Sequence, residues 1–171
     1  MPNPHFDVKV ISRNGRHRSR AKAVASAAYN AGTKVAAVAA ATMVMNTSVV
    51  ASAAYRSGEA LYDMQVEKTY DYSHKEEVIY TGIMTPENAP VWTKDRAFLW
   101  NYVEQAEKRK DAQLARDFIA ALPRELDHAQ QIALVREYVQ QQFVDHGMVA
   151  DIAIHDTVAS DGGRQPHVHI M

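Results

Sequence analysis

Cysteine is absent from the chain. Disulfide bonds and thiolate metal sites are therefore excluded, and the composition suits the reducing cytoplasm. An excess of charge of either sign is also absent, because 19 basic and 20 acidic residues leave a formal net charge of -1. Net charge therefore gives no indication of a polyanionic partner. Hydrophobic residues occupy 47% of the 171 positions, which is typical of a globular domain with a buried core and not of a disordered chain.

Leucine, isoleucine and phenylalanine are absent from the longest uncharged segment, residues 35–55. Its length would suffice to cross a bilayer, but alanine, valine, serine and threonine give only a weak insertion signal. The segment also begins too far from the N-terminus for a signal peptide. We expect a soluble, alanine-rich helix packed on the domain, with no membrane insertion and a cytoplasmic location.

Basic residues crowd into one short stretch near the N-terminus that contains no acidic residue. They are Arg13, Arg16, Arg18, Arg20 and Lys22. Such a stretch is either solvated surface or a patch that contacts phosphate groups. Because the rest of the chain is richer in acidic residues, the stretch is a candidate contact for nucleic acid.

An alanine-rich region from Arg20 to about Leu61 is predicted to be helical, with breaks near Asn30 and Asn46. It contains a short internal repeat, because the sequence of residues 24–32 is echoed by that of residues 50–58. Two short copies are too few for a repeat architecture, so a local duplication is the simpler interpretation.

The other periodicities predict an α+β domain on a largely antiparallel sheet. Alternation predicts strands at residues 6–11, 78–84, 114–122, 148–155 and 167–171, with a polar loop at 156–166 before the last strand. One helix is predicted to begin at a Thr93 cap and run to about Arg109. Its expected apolar face consists of Phe98, Leu99, Tyr102 and Val103. A second helix is predicted between an Asp127 cap and a stop at Gly147.

Three histidines near the C-terminus form a candidate metal site. His167 and His169 are two residues apart on a predicted strand, so their side chains share a face. His155 ends the preceding strand and lies beside them if the two strands pair as a hairpin. Three imidazoles from rigid strands would leave coordination positions open for a substrate oxygen. The alternative is that two of them are surface histidines near a chain end.

Two other residues are candidates for chemistry. Tyr55 follows four small residues that permit close approach, and Arg56 places a cation beside the phenol that would lower the cost of its ionisation. Asp117 lies mid-strand among residues predicted to be buried, where a carboxylate should be paired or functional. It would orient a metal-ligating imidazole or accept a proton, unless it faces water on an edge strand. By strand geometry Arg116 points to the opposite face.

In their order and spacing, several sequence blocks resemble the MobA/MobL conjugative relaxases of the HUH nuclease group. The blocks are VKVISR at 8–13, AAYRSGE at 53–59, LYD at 61–63, DYSHK at 71–75, EKRKDAQLAR at 107–116, ALPREL at 121–126, AIH at 153–155 and PHVHIM at 166–171. Each block alone is weak evidence, whereas the ordered set is specific to the family.

This resemblance implies a palm-like sheet with the histidine triad on its central strands. A divalent metal ion, Mg²⁺ or Mn²⁺, would be bound by His155, His167 and His169. The tyrosine matching Tyr55 would attack plasmid DNA, leaving a 5′-phosphotyrosyl bond and a free 3′-hydroxyl. The expected partners are single-stranded DNA at the origin of transfer and accessory mobilisation proteins. The expected DNA contacts are Arg13, Arg16, Arg18 and Arg56.

The sequence departs from the family pattern between its first strand and the tyrosine. Tyr29 lies nearer the usual distance from Arg13, whereas Tyr55 has the fuller downstream match, so we prefer Tyr55 and retain Tyr29 as the alternative nucleophile. We then expect residues 24–50 to be an insertion or duplication in a single domain, residues 1–171. Because relatives continue past the last histidine, we expect this domain to be incomplete. The alternative functions are an inactive relaxase fragment that only binds DNA, and a histidine-triad metal hydrolase.

Overall fold

The computed structural model describes residues 6–12, 48–109 and 112–171, with backbone alone for the first range. The strands are β1 (Phe6–Ser12), β2 (Ala60–Asp63), β3 (Lys68–Asp71), β4 (Val78–Met84), β5 (Gln113–Ala121), β6 (Ala150–Val158) and β7 (Arg164–Ile170). The helices are α1 (Val49–Ser57), α2 (Arg96–Ala106) and α3 (His128–Gln142), with short 3-10 turns at Val91–Lys94 and Val144–His146. The predicted α+β class is confirmed.

Five strands form the main sheet in the order β1-β5-β7-β6-β4, and every neighbouring pair is antiparallel. Strands β2 and β3 form a separate hairpin. The three strands β5, β7 and β6 therefore lie inside the sheet, and β1 and β4 are its edges. Backbone hydrogen bonding on both sides holds the inner strands, which makes them a rigid base for side chains on either face.

Helices cover both faces of the sheet. One face packs on α3, and this core includes Phe118, Val135, Val139, Ile152, Ile154, Val168 and Ile170. Since side chains alternate along a strand, the odd-numbered residues of β5, β6 and β7 point to the other face. Helix α1 packs there, in a second core with Leu99, Trp100 and Met171. The side chains with chemical potential lie on this second face.

The helical prediction for the alanine-rich region is wrong at its C-terminal end. Helix α1 stops at Ser57, because Gly58 adopts a left-handed conformation (φ +65°) and its N–H bonds the carbonyl of Ala54. Strand β2 follows at once, so Leu61 is in a strand. The second copy of the internal repeat is this helix and its glycine stop. The first copy, the predicted breaks at Asn30 and Asn46 and most of residues 35–55 lie outside the described residues.

The prediction for α2 is wrong in its cap and in half of its face. Asp95 caps the helix by accepting a hydrogen bond from Phe98 N, whereas Thr93 lies in the preceding 3-10 turn. Of the predicted face, Leu99 is buried and Val103 packs against the core, but Phe98 and Tyr102 are 49% and 50% exposed. Trp100, Asn101 and Glu104 complete the buried face. The helix also ends at Ala106, before the predicted Arg109.

The C-terminal half follows the predictions more closely. Asp127 caps α3 with a full capping box, and Gly147 ends the 3-10 turn after it. Strands β6 and β7 are longer than predicted, since their pairing continues to Val158 and Arg164 and shortens the loop to residues 159–163. Within the described part of the chain, no helix has both the length and the apolarity needed to cross a bilayer.

Candidate metal centre and tyrosine pocket

The structure brings the three predicted histidines together on the α1 face of the sheet. His155 of β6 pairs with His167 of β7, and Ala153 pairs with His169, so the three side chains point the same way. One ring nitrogen from each histidine lies within 4.8 Å of the corresponding nitrogens of the other two. These distances suit three ligands around a single ion, whose bonds to imidazole nitrogen would be about 2.0–2.1 Å for zinc.

Each imidazole also has one nitrogen near an oxygen atom. His155 Nε2 contacts the Arg56 carbonyl (2.6 Å), and His167 Nδ1 contacts the Gln165 carbonyl (3.0 Å). His169 Nδ1 lies 3.6 Å from Asp117 Oδ1, which is too far for a hydrogen bond, so this buried nitrogen has no hydrogen-bond partner among the described residues. Hydrogen bonds of this kind fix the orientation and tautomer of a metal-ligating histidine.

The two buried histidines are neutral in this environment. Burial lowers the pKa of His155 to about 3, although the contact with the Arg56 carbonyl acts in the opposite direction. Burial likewise lowers the pKa of His169, against the opposing influence of the Asp117 carboxylate. A neutral imidazole presents the unprotonated nitrogen that a metal ion requires.

Asp117 is fully buried and joins the triad to helix α1. Its carboxylate accepts hydrogen bonds from Arg56 Nε (3.1 Å) and Nη2 (2.6 Å), and it approaches His169. Burial would raise the pKa of Asp117, but Arg56 and His169 outweigh burial and hold that pKa well below its usual range. The possibility that Asp117 faces water on an edge strand is wrong, because β5 lies between β1 and β7.

Arg56 occupies a different position from the one expected for a DNA contact or a neighbour of the phenol. Its guanidinium is buried, and it donates to Asp117 and to the Ser52 carbonyl (2.9 Å). Successive residues on a helix are rotated by about 100°, so Arg56 and Tyr55 point in different directions. Tyr55 faces the cavity, and Arg56 reaches Asp117 on the sheet.

Tyr55 is exposed at the C-terminal end of α1 and lines the same cavity as all three histidines. The cavity has a volume of about 200 Å³, and Glu77, Thr157 and Gln165 also line it. The ring of Tyr72 packs edge-on against Tyr55, with 5.2 Å between centroids. A phenol hydroxyl and three candidate metal ligands therefore open into one solvent-accessible space.

Lys75 also lines this cavity, although no sequence pattern singled it out as a site residue. Its Nζ atom lies 3.7 Å from the centre of the Tyr55 ring. The same ammonium donates to the Tyr55 carbonyl (3.0 Å) and pairs with Glu77 Oε1 (3.2 Å). In the sequence, Lys75 is one of several charged residues in a polar connection between two strands. Only the family-like block at residues 71–75 marked this part of the chain.

Four of the predicted site residues lie outside the described residues. They are the alternative nucleophile Tyr29 and the candidate DNA contacts Arg13, Arg16 and Arg18. Their roles stay predictions.

Comparison with known proteins identifies relatives in conjugation and mobilisation. The model of the MobA/MobL family matches residues 47–171. A conjugal transfer protein TraA of Agrobacterium fabrum is 41% identical over 135 residues, which is 72% of this chain and 12% of that protein. A probable mobilization protein MobA of Bifidobacterium longum is 37% identical over 122 residues, which is 71% of this chain and 21% of that protein. This chain thus spans a small fraction of either relative.

One solved structure is also similar to this chain. A chain from a study of the molecular basis of vancomycin resistance transfer in Staphylococcus aureus superposes with a TM-score of 0.72 at 29% sequence identity. The match covers 99% of the present chain and 69% of that chain. The likeness therefore extends across the whole sheet and the helices on it.

Proposed function

Because the chain belongs to the MobA/MobL family, we propose that it is the DNA-nicking region of a conjugative relaxase that acts in the cytoplasm. It cleaves one strand of plasmid DNA at an origin of transfer, and the nucleophile is Tyr55. The observation that carries this proposal is the shared cavity of Tyr55 and the three histidines. The family match favours Tyr55 over Tyr29, because it begins at residue 47 and includes only the second copy of the repeat.

The three histidines fit a divalent metal ion. His155 and His169 are neutral, and hydrogen bonds to backbone carbonyls orient the rings of His155 and His167, while the Asp117 carboxylate lies 3.6 Å from His169 Nδ1. Of the two ions expected from the sequence, Mn²⁺ suits three imidazoles better, because Mg²⁺ prefers oxygen ligands. When bound, such an ion supplies Lewis acidity toward a phosphoryl oxygen.

Tyr55 carries out the covalent step. Its hydroxyl oxygen forms a bond to phosphorus while the bond from phosphorus to the 3′ oxygen breaks. The phenol proton passes to solvent water in the open cavity, and the departing 3′ oxygen takes a proton from solvent to become a hydroxyl. One phosphoester bond replaces another, so the 5′-phosphotyrosyl bond keeps the DNA end activated for later rejoining.

Asp117 orients the site without taking the phenol proton. It is fully buried and ion-paired with Arg56, whereas Tyr55 faces the cavity. Through His169 the carboxylate fixes one candidate ligand, and through Arg56 it fixes the helix that carries Tyr55. Removal of Asp117 should therefore affect both the histidine triad and the position of Tyr55.

The test is adduct formation with single-stranded oligonucleotides that tile the transfer origin of the encoding plasmid. With Mn²⁺ present, wild-type protein should form a covalent complex that survives denaturing electrophoresis. Tyr55→Phe should abolish it, because the nucleophilic oxygen is removed, whereas Tyr29→Phe should retain it. Tyr102→Phe is a matched control, since this half-exposed tyrosine lies on α2 and does not line the cavity.

Each contrary outcome selects a different alternative. Loss of the adduct in Tyr29→Phe alone would assign the nucleophile to the first copy of the repeat. If the DNA is cleaved without an adduct, and this cleavage persists in Tyr55→Phe, the protein would be a metal hydrolase. DNA binding by the wild type without any cleavage would indicate a remnant that only binds.

A further inference from the structure

Lys75 makes three contacts around the proposed nucleophile. Its side chain is only 9% exposed although it carries a charge. The ammonium lies over the face of the Tyr55 ring, donates to the Tyr55 carbonyl and pairs with Glu77. A lysine that merely bordered the cavity would keep its ammonium in water, because the flexible stem allows it to do so. Here the charge is held by the Tyr55 ring and the Glu77 carboxylate.

The contacts restrain both the backbone and the ring of Tyr55. The hydrogen bond to the carbonyl ties Lys75 to the last turn of α1, where a cation is favoured by the helix dipole. The cation–π contact holds the ring from one face, and Tyr72 packs against it edge-on. Glu77 fixes the ammonium from the other side and is itself on the cavity wall. The phenol therefore has a defined position in the cavity.

The same charge favours the state of Tyr55 that attacks. An aromatic ring attracts a cation through its quadrupole, and a phenolate ring carries net negative charge that attracts it more strongly. Low exposure strengthens this difference because little water screens it. Arg56, the cation next in sequence, is buried in its pair with Asp117. Among the described residues that line the cavity, Lys75 is the only lysine, and no arginine lines it.

We propose that Lys75 is the positioning residue for the nucleophile: its ammonium holds the Tyr55 ring in the histidine-lined cavity and stabilises the phenolate during attack on phosphorus. This inference rests on the proposed role of Tyr55. It assigns to Lys75 the task that the sequence suggested for Arg56. Glu77 keeps the ammonium in place, so Lys75 acts on the ring and not on the DNA backbone.

The test compares Lys75→Met, Lys75→Arg and a matched control. The control is Lys68→Met, because Lys68 also lies over a tyrosine ring, that of Tyr70 at 4.8 Å, on a strand outside the cavity. The rate constant for adduct formation is measured at saturating DNA, and the DNA dissociation constant is measured separately. Lys75→Met should slow adduct formation by about 10- to 30-fold. Its DNA affinity should match that of the wild type, Lys75→Arg should recover part of the rate, and Lys68→Met should equal the wild type.

A second measurement needs neither DNA nor metal. Tetranitromethane nitrates phenolates, and peptide mapping by mass spectrometry gives the rate at each tyrosine. The nitration rate of Tyr55 should fall in Lys75→Met, whereas that of the exposed Tyr62 should keep its wild-type value. If the wild type forms no adduct but this pattern holds, the proposed function fails while the effect of Lys75 on Tyr55 stands.

Three results would overturn the inference. Wild-type adduct and nitration rates in Lys75→Met would show that the ammonium has no influence on Tyr55. A weaker DNA affinity with an unchanged rate at saturation would make Lys75 a phosphate contact. If Lys75→Met does not fold, Lys75→Gln takes its place, and wild-type adduct and nitration rates in that variant would refute the idea.

Discussion

The pair of Asp117 and Arg56 joins the sheet to the helix that carries Tyr55. Asp117 has no exposed surface, and Arg56 is 6% exposed. Replacing Asp117 with Asn would leave the guanidinium buried without its counter-charge, which costs about 3–5 kcal/mol in comparable buried pairs. We therefore expect Asp117→Asn to lower the free energy of unfolding by about this amount at pH 7. Urea denaturation would measure it, with the exposed Asp161→Asn as a control expected to change little.

The free energy of unfolding differs between the wild type and Asp117→Asn, and the pH dependence of this difference separates the effect of charge from that of packing. The folded-state pKa of Asp117 lies below its ordinary value, so the ionic stabilisation is complete above the ordinary Asp pKa of about 4 and declines as pH falls below it. The difference in stability between wild type and Asp117→Asn should therefore narrow as the pH falls below about 4. A difference that stayed constant would mean that shape, and not charge, makes Asp117 important.

Helix α1 is fixed at both ends, which defines where Tyr55 lies. Its first N–H groups bond the Glu104 carboxylate (2.7 Å) and the Ser48 hydroxyl (3.0 Å). Its end is set by Gly58, where a Cβ atom would come within 3.0 Å of Val78 Cγ2. The helix is short, so these end contacts, more than helix propensity, maintain its position.

Substitution of Gly58 should show how closely activity depends on this helix end. Gly58→Ala combines left-handed backbone strain of about 1 kcal/mol with the crowding at Val78. Gly147→Ala is the matched control, since its φ is +83° and its Cβ would meet nothing within 4 Å. Thermal unfolding should show a larger loss for Gly58→Ala, and adduct formation should fall only in that variant. Equal losses of stability, with wild-type adduct formation in both, would contradict this account.

The elements that sequence alone predicted well are those whose pattern depends on local neighbours. Strand β4 and the Asp127 cap follow from alternation and capping chemistry. The face of α2 was only partly predictable in this way, because hydrogen bonds bury polar residues there. Asn101 donates to the Tyr62 carbonyl, and Glu104 accepts from Val49 N, while Phe98 and Tyr102 remain half-exposed.

The candidate site was likewise predictable only where local strand patterns place its residues. Strand parity placed His167 and His169 on one face, and hairpin pairing added His155. The partner of Asp117 was not predictable, because Arg56 lies 61 residues away and on another element. The lysine over the Tyr55 ring comes from the connection between β3 and β4, so only the folded arrangement reveals it.

At the scale of the whole molecule, the histidines stand on strands that are paired on both sides. His155 lies on β6 between β7 and β4, and His167 and His169 lie on β7 between β5 and β6. The free protein therefore holds the three rings close together, whereas an unfolded chain would not. An ion that binds the folded state should stabilise the entire domain by mass action.

We accordingly expect Mn²⁺ to raise the melting temperature. At a concentration of about 100 times the dissociation constant, the gain is about 2.7 kcal/mol. In a domain of this size that corresponds to roughly 5–10 °C. The shift should be reversed by a chelator and should vanish in His167→Ala. The control His146→Ala removes an exposed histidine that ends a 3-10 turn away from the triad, so it should keep the full shift. Equal shifts in the two variants would assign the bound ion to another part of the surface, and the three histidines would lose their role as a metal site.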